Sequence, residues 1–390
     1  MLFGSIVLVP AGVFLFFLFY FILYHETESY RKSLSFLGPT FEKQKRHIIL
    51  YWDKKWRKPV KVAGLMKECQ QCKNWNCELT NDKRLFRNSS AVIFIAPDFN
   101  RRNVPARYKN SQIYVYESRE PPFILGRMEK WKEMVKTLNQ LKNSNDVFNW
   151  TMTYHGNSDI NHQFGRIVFL NDSIRLRPEY KRLRYPWVLC ESELNGNWNL
   201  QPIIKLNHAE LLKKIQKKTK MAAWAVGNCK TPSKREQYIK KLAKYIGVDT
   251  YGYRGKCHDK HCNPKCSQMW DNDYFFYLSF ENSFSRDYVS EKMYKILYLD
   301  TIPVVRGGAN YTALLPPKSY IDAQDFKGPK ELAEFLKNLA ANATEYASYF
   351  EWKKDFALIT ESENLCHLCA KLNLPIQYKT HHDIYKFIAE

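Results

Sequence analysis

Short apolar runs, each no longer than a strand and each followed by a polar or helical stretch, set the tightest limit on how this chain can fold. In the first half they are His47-Ile-Ile-Leu-Tyr51, Ala91-Val-Ile-Phe-Ile95 and Gln112-Ile-Tyr-Val-Tyr116, with a helical pattern over residues 130–141. The second half repeats the scheme with strands over 222–226, 274–278 and 302–305 and helices over 234–246 and 288–299. Alternation of this kind makes layered α/β structure rather than a bundle or a sandwich. Gly328-Pro329 opens a further helix with Leu332, Phe335, Leu336 and Leu339 on one face, and a last helix over 345–352 closes the body. The stretch 175–206 is irregular and rich in Pro, Asn and Trp, which suits an inter-domain connection. With 390 residues to distribute, two domains are expected, 46–206 and 207–390.

Residues 2–24 carry no charge. At about 1.5 Å per residue such a run crosses a hydrocarbon core of about 30 Å. The bulky aromatic stretch up to His25 lacks a cleavage site, so 1–24 is expected to stay as a signal-anchor and 25–45 to form a stem. Arg31 and Lys32 follow the span and no basic residue precedes it, which taken literally places the body in the cytosol. Two features point to the lumen instead. Five sequons follow, at Asn88, Asn149, Asn171, Asn310 and Asn342. Ten cysteines, Cys69, Cys72, Cys77, Cys190, Cys229, Cys257, Cys262, Cys266, Cys366 and Cys369, give an even count suited to disulfides. Cys69-x-x-Cys72 with Cys366-x-x-Cys369 also fits a four-thiolate zinc site, a reading the oxidising compartment disfavours. The net charge of +21 fits an anionic partner, and a lumenal body argues against nucleic acid. The run Lys213, Lys214, Lys217, Lys218 and Lys220 reads as a solvated helix face or stem.

Two strand-loop-helix junctions gather the chemistry. In the first, Gly227-Asn-Cys-Lys-Thr-Pro-Ser233, Ser233 and Glu236 have the spacing of a capping box, which sets Arg235 in the first helical turn. An Arg beside helix N-terminal N–H groups can grip a diphosphate. The second, residues 280–292, collects Glu281, Asn282, Ser283, Tyr288, Glu291 and Lys292. Glu291 is suited to sugar hydroxyls, Lys292 to a phosphate, and Tyr288 offers a hydroxyl and a flat face. Asp271-Asn272-Asp273 matches a short metal-nucleotide pattern, but at the N-terminal edge of a strand it reads as a solvated turn.

The run Phe280-Glu281-Asn282-Ser283, a short gap, then Asp287-Tyr288-Val289-Ser290-Glu291-Lys292 resembles the signature of the Golgi α1,3-fucosyltransferases of glycosyltransferase family 10. The likeness continues through Ile302-Pro-Val-Val305, Gly307, Gly308, Tyr311, Pro316, Pro317, Ser319-Tyr-Ile321 and Asp325-Phe326. Upstream it takes in Asn228-Cys229, Ser233-x-Arg235-x-x-Tyr238 and Val248-Asp-x-Tyr-Gly252, and downstream Cys366-x-x-Cys369. The resemblance implies a GT-B fold: two Rossmann-like domains facing a cleft, with GDP-fucose on the C-terminal one. It also implies fucosyl transfer with inversion to the 3-hydroxyl of N-acetylglucosamine in N-glycans or lactosamine and glycolipid chains. The family's donor-binding residues fall on Arg235, Asn282, Tyr288, Glu291 and Lys292. Its base, a Glu before a Pro after a Gln-x-aromatic strand, falls on Glu120, with Glu117 as the competing carboxylate.

Arg235 and Lys292 meet the charge of departing GDP without a metal, so no cofactor is required and a divalent cation at most stimulates. The implied partners are GDP-fucose, a glycan acceptor on protein or lipid, and the Golgi membrane, with the body in the lumen as a single-pass type II protein. Phe148-Asn-Trp-Thr-Met-Thr-Tyr154 with Ser158-Asp159 resembles the family's acceptor-side segment. There His155-Gly156-Asn157 stands where the family has a basic pair and Asp, and Gln163-Phe164-Gly165 replaces Pro-Tyr-Gly. That departure leaves an alternative, a family member with altered catalysis that acts as a lumenal glycan-binding protein.

Overall fold

In the computed structural model, residues 46–52, 60–61, 76–121, 146–170, 172–175, 177–183, 203, 207–252, 260–261, 266–359, 364–375 and 378–389 are described. The expected anchor and stem, the helix over 130–141, Asn171, and Cys69, Cys72, Cys190, Cys257 and Cys262 lie outside them. Among the described residues no helix is long and apolar enough to cross a membrane.

The first half is built on β1 (His47–Tyr51), β2 (Val60–Lys61), β3 (Cys77–Thr80), β4 (Ala91–Ile95), β5 (Ile113–Ser118), β6 (Trp150–Thr153) and β7 (Ile160–Asn161). They form one sheet in the order β2-β3-β1-β4-β5-β6-β7, parallel except for β2 against β3. β8 (Arg166–Phe169) lies apart from it. The second half carries β9 (Lys220–Ala225), β10 (Val248–Gly252), β11 (Lys260–His261), β12 (Tyr274–Phe280), β13 (Ile302–Arg306) and β14 (Ile321–Asp322). Its order is β11-β10-β9-β12-β13-β14, parallel throughout. Parallel strands are covered on both faces, so they read as unbroken apolar runs. β1 and β5 are buried at every residue. In β5 that includes Glu117 and Ser118, two polar residues at the carboxyl end where open α/β sheets hold ligands.

The packing does not follow a division at residue 206. Ile167, Ile174 and Tyr180 pack with Val289, Met293, Tyr294 and Phe356 of the second half, and β15 (Phe356–Ile359) pairs antiparallel with β8. The chain then returns. In the helix Asn364–Asn373, Leu365, Leu368, Cys369 and Leu372 join the core of the first sheet. Ile384 and Ile388 of the helix Ile384–Ala389 fill the core on Phe94, Tyr114 and Phe148. Cys369 is disulfide-bonded to Cys77 in β3, and Cys229, Cys266 and Cys366 are also in disulfides. The body is thus closed by residues 364–389, not by a helix over 345–352, which is a shorter helix Ala343–Ser348 followed by a 3-10 turn.

A polar clamp holds the returning segment. The Asp159 carboxylate accepts from Thr151 N–H (2.9 Å), and its oxygens lie 3.0 Å from His381 Nε2 and 2.7 Å from Lys379 Nζ. Burial alone would raise its pKa, but these partners outweigh that and bring it to about 2. A carboxyl depressed in the folded state stabilises above its unfolded pKa of about 4 and loses that contribution as pH falls through about 2. Asp159→Ala is expected to cost about 1–3 kcal/mol at neutral pH, with the deficit against wild type shrinking below pH 4 in urea melts. A pH-independent deficit would assign the loss to packing.

The basic run and the acidic triplet are one structure. Lys213 and Lys217 are exposed at the helix His208–Lys217, as expected, but Lys218 is buried and donates to Tyr274 O (2.8 Å). Burial pushes it down to about 7. Lys214 binds Asp271 (2.5 Å) and Asp300 (2.7 Å), and Lys220 binds Asp273 (3.2 Å). Asp271-Asn272-Asp273 is therefore not a solvated turn. It ends the helix Cys266–Asp273 at the amino end of β12, with both carboxylates ion-paired.

Candidate active site

Both loops singled out from sequence follow the strands that flank the switch point of the second sheet, β9 and β12. There the connections diverge to opposite sides and leave a crevice at the carboxyl ends. The helix Arg235–Leu242 starts after Lys234, which takes φ 51°. No capping box forms. Ser233 Oγ instead donates across to Glu281 O (2.7 Å), and Glu236 accepts from Thr231 N–H and Oγ. The tertiary carbonyl outcompetes the local cap, and the exchange ties the two loops together.

Arg235 is in the first turn and buried, and its Nη1 donates to Phe280 O (2.6 Å). Burial lowers its pKa. Its Nε, Asn282 Oδ1 and the Tyr311 hydroxyl are buried with no hydrogen-bond partner among the described residues. Buried polar groups are nearly always satisfied, so three such atoms around one crevice mark a place for a polar ligand. Glu281, which the sequence reading quoted but gave no role, is fully buried and accepts from Ser290 N–H (2.8 Å) and Oγ. Lys292 Nζ lies 2.7 Å from Ser290 Oγ and 3.6 Å from Glu281 Oε2. The ammonium is thereby held at the start of the helix Glu291–Leu297. Glu291 is more exposed and stands 3.6 Å from Lys292. Gly307 permits the close approach, since a Cβ there would meet Tyr311 Oη at 2.5 Å and Glu281 Cγ at 3.2 Å. Arg306, also unassigned from sequence, donates to Ser233 O (3.0 Å) and stacks between Tyr238 and Phe284.

Glu120 comes from the other half. Ser118 Oγ donates to Glu120 O (2.7 Å) and fixes the turn after β5. Across the seam the Tyr288 hydroxyl donates to Glu120 Oε2 (2.6 Å). Burial raises the Glu120 pKa, while the Tyr288 hydrogen bond and Lys292 pull it back and Glu291 and Glu281 push it up. A carboxyl so balanced accepts a proton more readily than a surface one. Glu117 is engaged elsewhere, hydrogen-bonded with Tyr51 and 3.4 Å from His162 Nδ1. Burial keeps His162 neutral, with a pKa of about 3. Arg119 lies over the Phe164 ring (4.3 Å) and donates to Gln163 O.

Removing the Tyr288 donor in Tyr288→Phe raises the Glu120 pKa further. A base works only when deprotonated, so the acid limb of the kcat/KM profile is expected to move to higher pH, with activity at its acid end down several-fold. An unmoved limb would show that the contact plays no part in turnover.

Of the sequons, Asn88, Asn310 and Asn342 are exposed. Asn310 and Asn342 cap helices through Oδ1, which leaves Nδ2 outward. Asn149 is a correction. It is buried, its Oδ1 accepts from Tyr114 N–H and Arg107, and its Nδ2 donates to Lys379 O (3.0 Å). A glycan on that nitrogen does not fit this packing.

Residues 215–387 match the model for glycosyltransferase family 10 (fucosyltransferase), C-terminal part, and residues 44–165 the fucosyltransferase N-terminal model. Alpha-(1,3)-fucosyltransferase C of Drosophila melanogaster is 33% identical over 87% of this chain and 77% of its own. A 3-galactosyl-N-acetylglucosaminide 4-alpha-L-fucosyltransferase of Bos taurus is 31% identical over 85% and 79%. A crystal structure of an alpha1,3-fucosyltransferase with GDP-fucose aligns over 88% of this chain and 95% of its own, at 16% identity and a TM-score of 0.49. With both halves matched and relatives aligned over most of its length, the chain belongs to the fucosyltransferases of glycosyltransferase family 10.

Proposed function

We propose that this enzyme transfers fucose from GDP-fucose to the 3-hydroxyl of an N-acetylglucosamine residue, with inversion and with Glu120 as base. The observation that carries this reading is the meeting of Glu120, on the first half, with Tyr288, on the loop that brings Asn282 and Lys292 to the crevice. In the reaction the acceptor oxygen forms its bond to fucose C1 as the bond from C1 to the β-phosphate oxygen breaks. The hydroxyl proton passes to Glu120, and the electron pair leaves with GDP. Arg235 and Lys292 face the developing phosphate charge with fixed donors, the arrangement that stabilises a transition state without reorganisation. Asn282, Tyr288 and Glu291 complete the donor set, and the two halves form a GT-B pair. The relatives' names include both 3- and 4-linkages. The alpha-(1,3) linkage in the names of the Drosophila and Caenorhabditis relatives favours the 3-hydroxyl.

We further place the chain as a type II Golgi membrane protein with a lumenal body. The uncharged run 2–24, the Cys77–Cys369 disulfide and the exposed sequons Asn88, Asn310 and Asn342 support this. The test offers GDP-fucose with core N-glycan, lactosamine and glycolipid acceptors and reads by mass spectrometry the gain of one deoxyhexosyl residue per fucose. A blank panel with intact GDP binding would turn the reading to a glycan-binding member of the family.

A further inference from the structure

The segment that departs from the family pattern, His155-Gly156-Asn157, meets the donor-side loop of the second half at Asp287. Gly156 N–H donates to Asp287 Oδ2 at 3.0 Å, and His155 Nδ1 stands 3.9 Å from the same oxygen. Nδ1 also accepts from Asn157 N–H at 3.2 Å, which bends the loop between β6 and β7 on the side where the Gly156 N–H crosses the seam. A Cβ on Gly156 would lie 3.1 Å from Asp287 Oδ2, so any other residue here requires the carboxylate to shift by a few tenths of an ångström. Asp287 itself takes φ 59°, a left-handed conformation that Asp and Asn tolerate and most residues do not. It is the third residue of a turn closed by Tyr288 N–H to Ser285 O (3.3 Å). The next side chain, Tyr288, packs edge-on against Tyr154 (5.1 Å) and reaches Glu120.

The loop is also held on its own side. Arg286 bridges to Gly308, where a Cβ would strike Phe284 O at 2.3 Å. Residues 283–287 therefore sit between two glycines, one from each half. The Gly308 side fixes the loop to its own sheet, while the Gly156 side fixes it to the half that carries Glu120.

We propose that Asp287 is a positioning residue: its carboxylate, held by the Gly156 N–H, latches the donor-side loop to the base-bearing half and sets Tyr288 against Glu120. This inference rests on the fucosyl-transfer reading for its kinetic consequence only. Misplacing reacting groups by about 1 Å can cost 10²-fold, so the latch acts on kcat more than on donor affinity.

The test compares full-length Asp287→Asn, Asp287→Gly and Gly156→Ala with wild type. Kinetics and GDP affinity are read together with hydrogen exchange at the amides of residues 283–288. Asn keeps an acceptor oxygen and the left-handed backbone, so Asp287→Asn is expected within about 3-fold of wild type. Gly keeps the backbone but loses the acceptor, so Asp287→Gly is expected to lose kcat about 10-fold or more, with GDP affinity within 2-fold and faster exchange around Tyr288. Gly156→Ala approaches the same contact from the other side and is expected to move in the same direction. Wild-type kcat and exchange in Asp287→Gly would overturn the proposal, as would loss of GDP affinity with kcat unchanged, which belongs to a direct ligand contact. Asp287→Asn falling as far as Asp287→Gly would also overturn it, since charge rather than the hydrogen bond would then be at work. A wild type without turnover refutes fucosyl transfer, and the exchange comparison still decides the latch.

Discussion

Glu120→Gln is expected to lower kcat by roughly 10²–10⁴-fold, the usual weight of a general base, and to leave GDP affinity within about 2-fold. Gln keeps the shape and can still accept from the Tyr288 hydroxyl, so the fold and the seam contact survive while the proton acceptor is lost. The comparison that gives the result its meaning is Glu117→Gln. Glu117 is tied to Tyr51 and stands beside His162, so its loss is expected to disturb the end of β5 and cost less in turnover. If Glu117→Gln carries the larger loss and removes the acid limb, the base is Glu117 and the assignment of Glu120 fails. The order of magnitude separates the two cases, because a positioning carboxylate and the proton acceptor itself differ by far more than assay error.

The second large effect is on stability. Cys77 and Cys369 are 292 residues apart, both buried, and join β3 to the returning helix Asn364–Asn373. Cys77→Ala with Cys369→Ala is expected to cost about 2–5 kcal/mol, chiefly by releasing a long loop in the unfolded chain. Scanning calorimetry should then show the first half melting earlier, with the transition split where the parent protein gives one. A loss under about 1 kcal/mol, with the transition undivided, would mean that apolar packing of Leu365, Leu368 and Leu372 suffices to hold the helix in place.

The central strands were legible because two-sided burial writes them as apolar runs. β1 and β4 have the bounds expected from sequence, and β5, β9, β12 and β13 differ by one or two residues at their ends. The two-residue edge strands β7 and β14 are too short to leave a pattern. The return of residues 364–389 to the first sheet was not legible either: its partners lie more than 200 residues upstream, as with Asn149 and Lys379, and no local periodicity encodes such a pairing. Ser233 and Glu236 show the reverse failure. The local motif was real, yet the structure spends both side chains on other partners. Asn149 repeats that lesson for a sequon that is a core amide. At the site, the loop residues were found by their polarity beside buried strands. Glu281 went unassigned because its role depends on Ser290 and Lys292 folding back onto it, although a carboxylate directly after a buried strand was a signal that burial would need partners.

The placement of Ile384 and Ile388 under Phe94 and Phe148 also orders events at the ribosome. The first sheet ends in sequence at β7, yet its hydrophobic floor is the helix Ile384–Ala389, made long after it. At about 5–20 residues per second, that half waits roughly 10–50 s for the residues that finish it. Until that helix emerges the apolar underside of the first sheet stays uncovered, so removing Ile384 and Ile388 is expected to unsettle the first half of the chain rather than fray the segment that carries them.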